Sequence, residues 1–135
     1  MSRHFYGTWA RYLVIFTLLV GVGFHSVRLV IGVEAFQVIF TPMVDAIFSI
    51  PIILAIVAMF RGWPVFDFRG RVEKAIVMFT VAYFIVSMPL HFQTWFTQDT
   101  SYIMRFPWWY SLVFISYTSV LAWVWARLKI RVTAA

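Results

Sequence analysis

The sequence predicts an all-α integral membrane protein with four transmembrane helices and both termini cytoplasmic. Three observations predict it. The 135-residue chain is 63% hydrophobic and only 12% charged, more apolar surface than a soluble domain of that length can hide. Four apolar runs, at roughly 20 residues each, are long enough to cross about 30 Å of hydrocarbon. All but Arg28 and Arg105 of the eleven Lys and Arg residues fall in three short segments between or outside those runs. Despite the net charge of +6, that distribution is a topology signal and no nucleic acid is expected as a partner.

The first span is placed at residues 12–31. The stretch before it, "MSRHFYGTWAR", resembles the positive front of a secretory signal. The apolar run that follows is too long for a signal core and lacks a small-x-small cleavage site, so it is read as a retained helix. Gly32, Glu34 and Gln37 mark the turn to a second span at residues 38–60. The third and fourth spans are placed at 75–95 and 108–126, and the whole chain, 1–135, reads as one four-helix domain. The runs do not alternate with polar residues as barrel strands must.

Arg3 and Arg11 precede the first span, Arg61, Arg69, Arg71 and Lys74 lie between the second and third, and Arg127, Lys129 and Arg131 follow the fourth. The other side carries Glu34, Asp99 and Arg105, which predicts an N-in, C-in orientation, with a bacterial cytoplasmic (inner) membrane as the expected location. Trp9, Trp63, Trp123 and Trp125 read as the inner aromatic belt, and Trp95, Trp108 and Trp109 as the outer one. The loop "RGWPVFDFRGRVEK" is too short for a domain; its apolar residues can dip into headgroups while its arginines meet anionic lipid.

Titratable groups inside the spans carry the functional expectations. At 1.5 Å per residue, His25 lies about 20 Å and Arg28 about 24 Å above the inner end of the first span. Asp45 sits about 22 Å up the second span and His91 about 21 to 24 Å up the third. Tyr110 and Ser111 of the fourth span fall near the same level, so a polar shelf is expected in the outer third of the bilayer. Thr41, Asp45 and Ser49 stack along one side of a helix, as do Thr80, Tyr83, Ser87 and His91. Such stripes face a bundle interior or a partner, because lipid offers no hydrogen bonds. Pro42, Pro51 and Pro89 flank them and free backbone carbonyls nearby.

These residues support several chemistries. Arg28 and Asp45 are expected to form a structural ion pair across the first two spans. His25 and His91 are candidate axial ligands of haem b, with Arg28 or Arg105 near the propionates. His25, His91 and Arg28 equally suit a quinone or lipid headgroup. A metal centre of His25, Asp45 and His91, completed by Glu34 or water, fits iron, zinc or copper by ligand type, but no i, i+3 or i, i+4 ligand pair supports it. Cysteine is absent, which excludes disulfides, thiolate catalysis and cysteine-ligated clusters. Dinucleotide, phosphate-loop, zincin and nucleophile-elbow motifs are absent as well.

The expected function is therefore a small, non-catalytic accessory or anchor subunit of a larger multisubunit membrane complex, a redox complex being one candidate. It would hold lipid, quinone or haem at the outer shelf, and its partners would be other membrane subunits and bound lipids. A proton-coupled transporter acting as an oligomer through Asp45 is the first alternative. A membrane-embedded metal-dependent enzyme subunit is the second.

Overall fold

The structure is a computed structural model and describes residues 1–132. Four of its helices are long and apolar enough to cross a membrane. The first, α1 (Arg3–Ile31), starts where the Ser2 side chain accepts from the Phe5 N–H. It begins at Arg3 and not at Tyr12 because the cap and backbone carry the helix beyond the apolar run. It stops at Gly32, whose φ of +83° and ψ of 165° are open to glycine and strained for other residues.

A short helix, α2 (Val33–Ile39), follows before α3 (Pro42–Gly62). The second span thus starts at Pro42 and not at Val38. Thr41 is the N-cap, its hydroxyl accepting from the Val44 N–H at 3.3 Å. Pro42 takes the first helical position, where its missing N–H costs nothing. A 3-10 turn at Trp63–Val65 leads to β1 (Phe66–Asp67). Next come α4 (Arg71–Thr97), the four-residue α5 (Ser101–Met104), α6 (Trp108–Arg127) and β2 (Lys129–Ile130). The two strands pair antiparallel, Phe66 with Ile130 and Asp67 with Lys129. No strand is expected from the sequence; this minimal ladder joins two loops at one end of an otherwise helical bundle.

The helix α1 packs most extensively, against α3 on one side and α6 on the other, while α4 packs on α3 and only lightly on α6. Apolar side chains gain little by leaving lipid for one another, so close approach and hydrogen bonds must hold these helices together. Close approach is supplied where α1 crosses α3. A Cβ on Gly62 would lie 2.6 Å from the Gly7 Cα and 2.8 Å from the Tyr6 carbonyl carbon, well inside contact distance. Val14, Leu18, Ala55, Met59, Val77, Phe84, Leu121 and Trp125 form the core between the helices.

The start of α1 and the end of α6 lie together, since Arg11 donates to the Ala126 carbonyl at 2.5 Å. The same end holds an Arg131–Asp67 pair at 3.1 Å and an Arg61 donation to the Tyr6 hydroxyl at 3.1 Å. The nine Lys and Arg residues other than Arg28 and Arg105 therefore gather at one end of the bundle. Trp125 is not in an aromatic belt: it is fully buried, edge-on to Phe66 with ring centroids 5.5 Å apart. The β1–β2 ladder brings Phe66 over it, which the position of Trp125 in the sequence does not reveal.

Candidate functional site: a polar cavity at the far end of the bundle

At the end opposite the basic cluster, the four long helices and the α2 and α5 connections enclose a cavity of about 220 Å³. Its walls are largely aromatic, with Phe24, Phe48, Phe84 and Phe114 among them. His25, Arg28, Asp45, Ser87, His91 and Tyr110 all line it. Residues that the sequence places at one depth on separate helices are thus brought to one chamber.

Two separate polar networks form there. In the first, Arg28 donates through Nη1 to Ser111 Oγ at 3.0 Å and through Nη2 to the Phe106 carbonyl. His25 Nδ1 lies 3.0 Å from the same Ser111 oxygen. A hydroxyl that accepts from a guanidinium keeps its own proton free to donate. Either tautomer of His25 satisfies the contact, since the hydroxyl has a second lone pair as well as its proton. The His25 ring also stacks on Phe114 with centroids 3.9 Å apart, which fixes its plane.

In the second network, His91 Nδ1 lies 2.7 Å from Asp45 Oδ1. Asp45 sits one turn into α3, where the helix N-terminus favours negative charge. Arg28 and Asp45 consequently do not form the ion pair expected of them. Counting residues fixes height along a helix but not azimuth. The Arg28 face of α1 turns to α6, whereas Asp45 turns to α4. Both are nonetheless deeply buried, Arg28 at 5% exposure and Asp45 at 1%.

The metal reading is corrected as well. Among the described residues no group of three His, Asp or Glu side chains could hold a metal ion. His25 is drawn to Ser111, His91 to Asp45, and Glu34 is exposed on α2. The two candidate haem ligands, His25 and His91, both line the cavity, with their Nδ1 atoms turned to Ser111 and Asp45.

Several contributors are not singled out by the sequence. The Phe106 carbonyl holds Arg28 from the loop before α6. Tyr102 on α5 donates to the Leu90 carbonyl and lies 2.5 Å from Thr94 Oγ1, tying the α4–α6 connection down beside the cavity. Burial raises the Tyr102 hydroxyl above its ordinary pKa of 10.0. Neither a carbonyl nor a loop tyrosine carries a spacing signal; only Tyr110 and Ser111 are visible by depth.

Fold and site together are those of an all-α protein with four helices long and apolar enough to cross a membrane and an aromatic-walled chamber that carries a few polar groups. Comparison with protein-family models, curated proteins and solved structures finds no match.

Proposed function

We propose that the chain is a small accessory subunit of a larger membrane complex and that it holds the ring head of a quinone-class lipid in this cavity. The observation that carries the reading is the cavity itself, one ring in size, apolar in its walls and polar at a few points. That is the usual make-up of a small-molecule site. A neutral ring suits it better than a zwitterionic headgroup, which would lose its hydration against phenylalanine walls. The tail has a way out: Leu90 on α4 and Phe106 before α6 line the cavity yet are 44% and 42% exposed, on the side where α4 and α6 pack lightly.

Membership of a complex is supported by the exposed Phe96, Trp108 and Trp109 beside the cavity end, since aromatic residues are favoured at interface cores. The gathering of basic residues at the other end supports an N-in, C-in orientation in an inner membrane, with the cavity in the outer leaflet. Transport through Asp45 has less support. Towards the basic end, Ser49, Thr80 and Thr118 turn their hydroxyls back on their own helices. Met59, Leu128 and Trp125 close the way beyond them at 0–1% exposure.

Purification from native membranes in mild detergent, with lipid extraction and identification of co-purifying proteins, tests the proposal. Stoichiometric partner subunits and a quinone-class lipid are expected. A partner-free chain whose extract holds bulk phospholipid alone would overturn it.

A further inference from the structure

At the basic end, a shallow groove of about 400 Å³ runs between the start of α4 and the end of α6. Arg69 precedes α4 and Arg127 closes α6, so the groove takes one guanidinium from each side. Arg127 stacks on the Trp123 ring, 4.7 Å from its centroid. Stacking uses the face of a guanidinium and leaves its in-plane N–H donors open. The two ion pairs among the described residues are His91–Asp45 and Arg131–Asp67, so neither arginine of the groove meets a carboxylate. Glu73, the carboxylate in the lining, accepts from the Arg69 backbone N–H. Gly70, the N-cap of α4, brings no side chain, so the first N–H groups of this 27-residue helix add positive potential beside the arginines.

Further towards the middle of the bundle the groove is apolar. Val124 is buried and Ile76 half-buried at its floor, while Trp123 is exposed at its side. The light packing of α4 on α6 leaves this seam unfilled. A cationic mouth above an apolar trough has the order of a phospholipid, phosphate above alkyl chains. We propose that the groove binds one anionic glycerophospholipid, with its phosphate between Arg69 and Arg127 and an acyl chain along Ile76, Val124 and Trp123. Guanidinium and phosphate match bidentately, and basic pockets between transmembrane helices suit anionic headgroups. A zwitterionic lipid carries an ammonium group, which these arginines repel together with Arg71 and Lys74 in the first turn of α4. This site lies at the opposite end of the bundle from the aromatic-walled cavity, and it does not depend on quinone-class binding there.

The test is native mass spectrometry of the purified full chain, delipidated in detergent and titrated with phosphatidylglycerol or, separately, with phosphatidylcholine of the same acyl chains. A single, saturating phosphatidylglycerol adduct is expected, at least about tenfold tighter than phosphatidylcholine, the ratio given by one charge-assisted hydrogen bond. Arg69→Gln and Arg127→Gln are each expected to weaken it by about tenfold. Arg3→Gln and Arg61→Gln remove the same charge from the same end but lie on α1 and α3, outside the groove. They should weaken it by no more than about twofold, as surface charges do. Equal affinity for the two lipids, or adducts that accumulate without saturating, would overturn the proposal. Equal losses in all four variants would overturn it as well, since diffuse surface charge would then account for the binding. All four positions are exposed, and if a variant does not fold the wild-type ratio alone decides.

Discussion

Ser111 is the hinge of the Arg28 network, and Ser111→Ala tests that network directly. The residue is fully buried, and its one oxygen meets Arg28 Nη1 and His25 Nδ1 at 3.0 Å each. The substitution removes both of the contacts that Ser111 makes with α1 and leaves a guanidinium N–H and a ring nitrogen unpaired. Hydrogen bonds between membrane helices contribute about 0.6 kcal/mol on average and up to about 1.7. Two of them, one to a charged group, give a loss of about 1–3 kcal/mol, offset by at most about 0.5 for the better helix propensity of alanine. Ser116 on the same helix is the internal control. It is exposed and bonds only its own Leu112 carbonyl at 2.8 Å, so Ser116→Ala should change stability by no more than about 0.5 kcal/mol. Reversible unfolding in mixed micelles, followed by helical circular dichroism, measures both. If Ser111→Ala costs no more than Ser116→Ala, the hydroxyl does not join the two helices and the reasoning fails.

Three further predictions concern packing, pH and topology. Gly62→Ala places a Cβ 2.6 Å from the Gly7 Cα, so α1 and α3 must part by roughly 1 Å to restore ordinary contact, at a cost of about 1–3 kcal/mol. Gly7→Ala meets Val65 at 3.4 Å and should be far milder, a difference read as a lower Tm for Gly62→Ala in detergent. Asp99 accepts from the Ser101 amide at 2.8 Å and from its hydroxyl at 2.9 Å, which holds its carboxyl below the ordinary value of 3.8. A depressed folded value stabilises the turn above the unfolded one and is lost as pH falls through the lower value. Hydrogen exchange at the Ser101 amide should therefore show extra opening at acid pH, and Asp99→Ala should remove that pH dependence. Because the chain lacks cysteine, Ser2→Cys, Gln98→Cys and Val132→Cys report topology cleanly. An impermeant maleimide added to intact cells should label only Gln98→Cys.

The spans are legible because apolar length is a property of each run alone. Their ends depend on backbone chemistry that hydropathy ignores. The Thr41–Pro42 pair is a readable helix start, an N-cap followed by proline at the first position, and it moves the second span four residues from its expected start. The shelf is legible as a height: His25, Arg28, Asp45 and His91 share a depth and do reach one cavity. Partner choice is not legible, because it turns on rotation about each helix axis. A few tens of degrees decide whether Asp45 meets Arg28 or His91. Trp125 and the β1–β2 ladder are set by contacts between distant loops, for which a single sequence gives no signal.

The central claim is that a ring enters the cavity between α4 and α6. Photolabelling with an azido-substituted, prenyl-tailed quinone in native membranes, followed by peptide mapping, tests it most directly. Adducts concentrated on the cavity faces of α4 and α6, around Tyr83–His91 and Phe106–Phe114, and reduced by excess unlabelled quinone, are the predicted result. Labelling spread evenly over the lipid-facing residues of all four helices, unchanged by competitor, would contradict it.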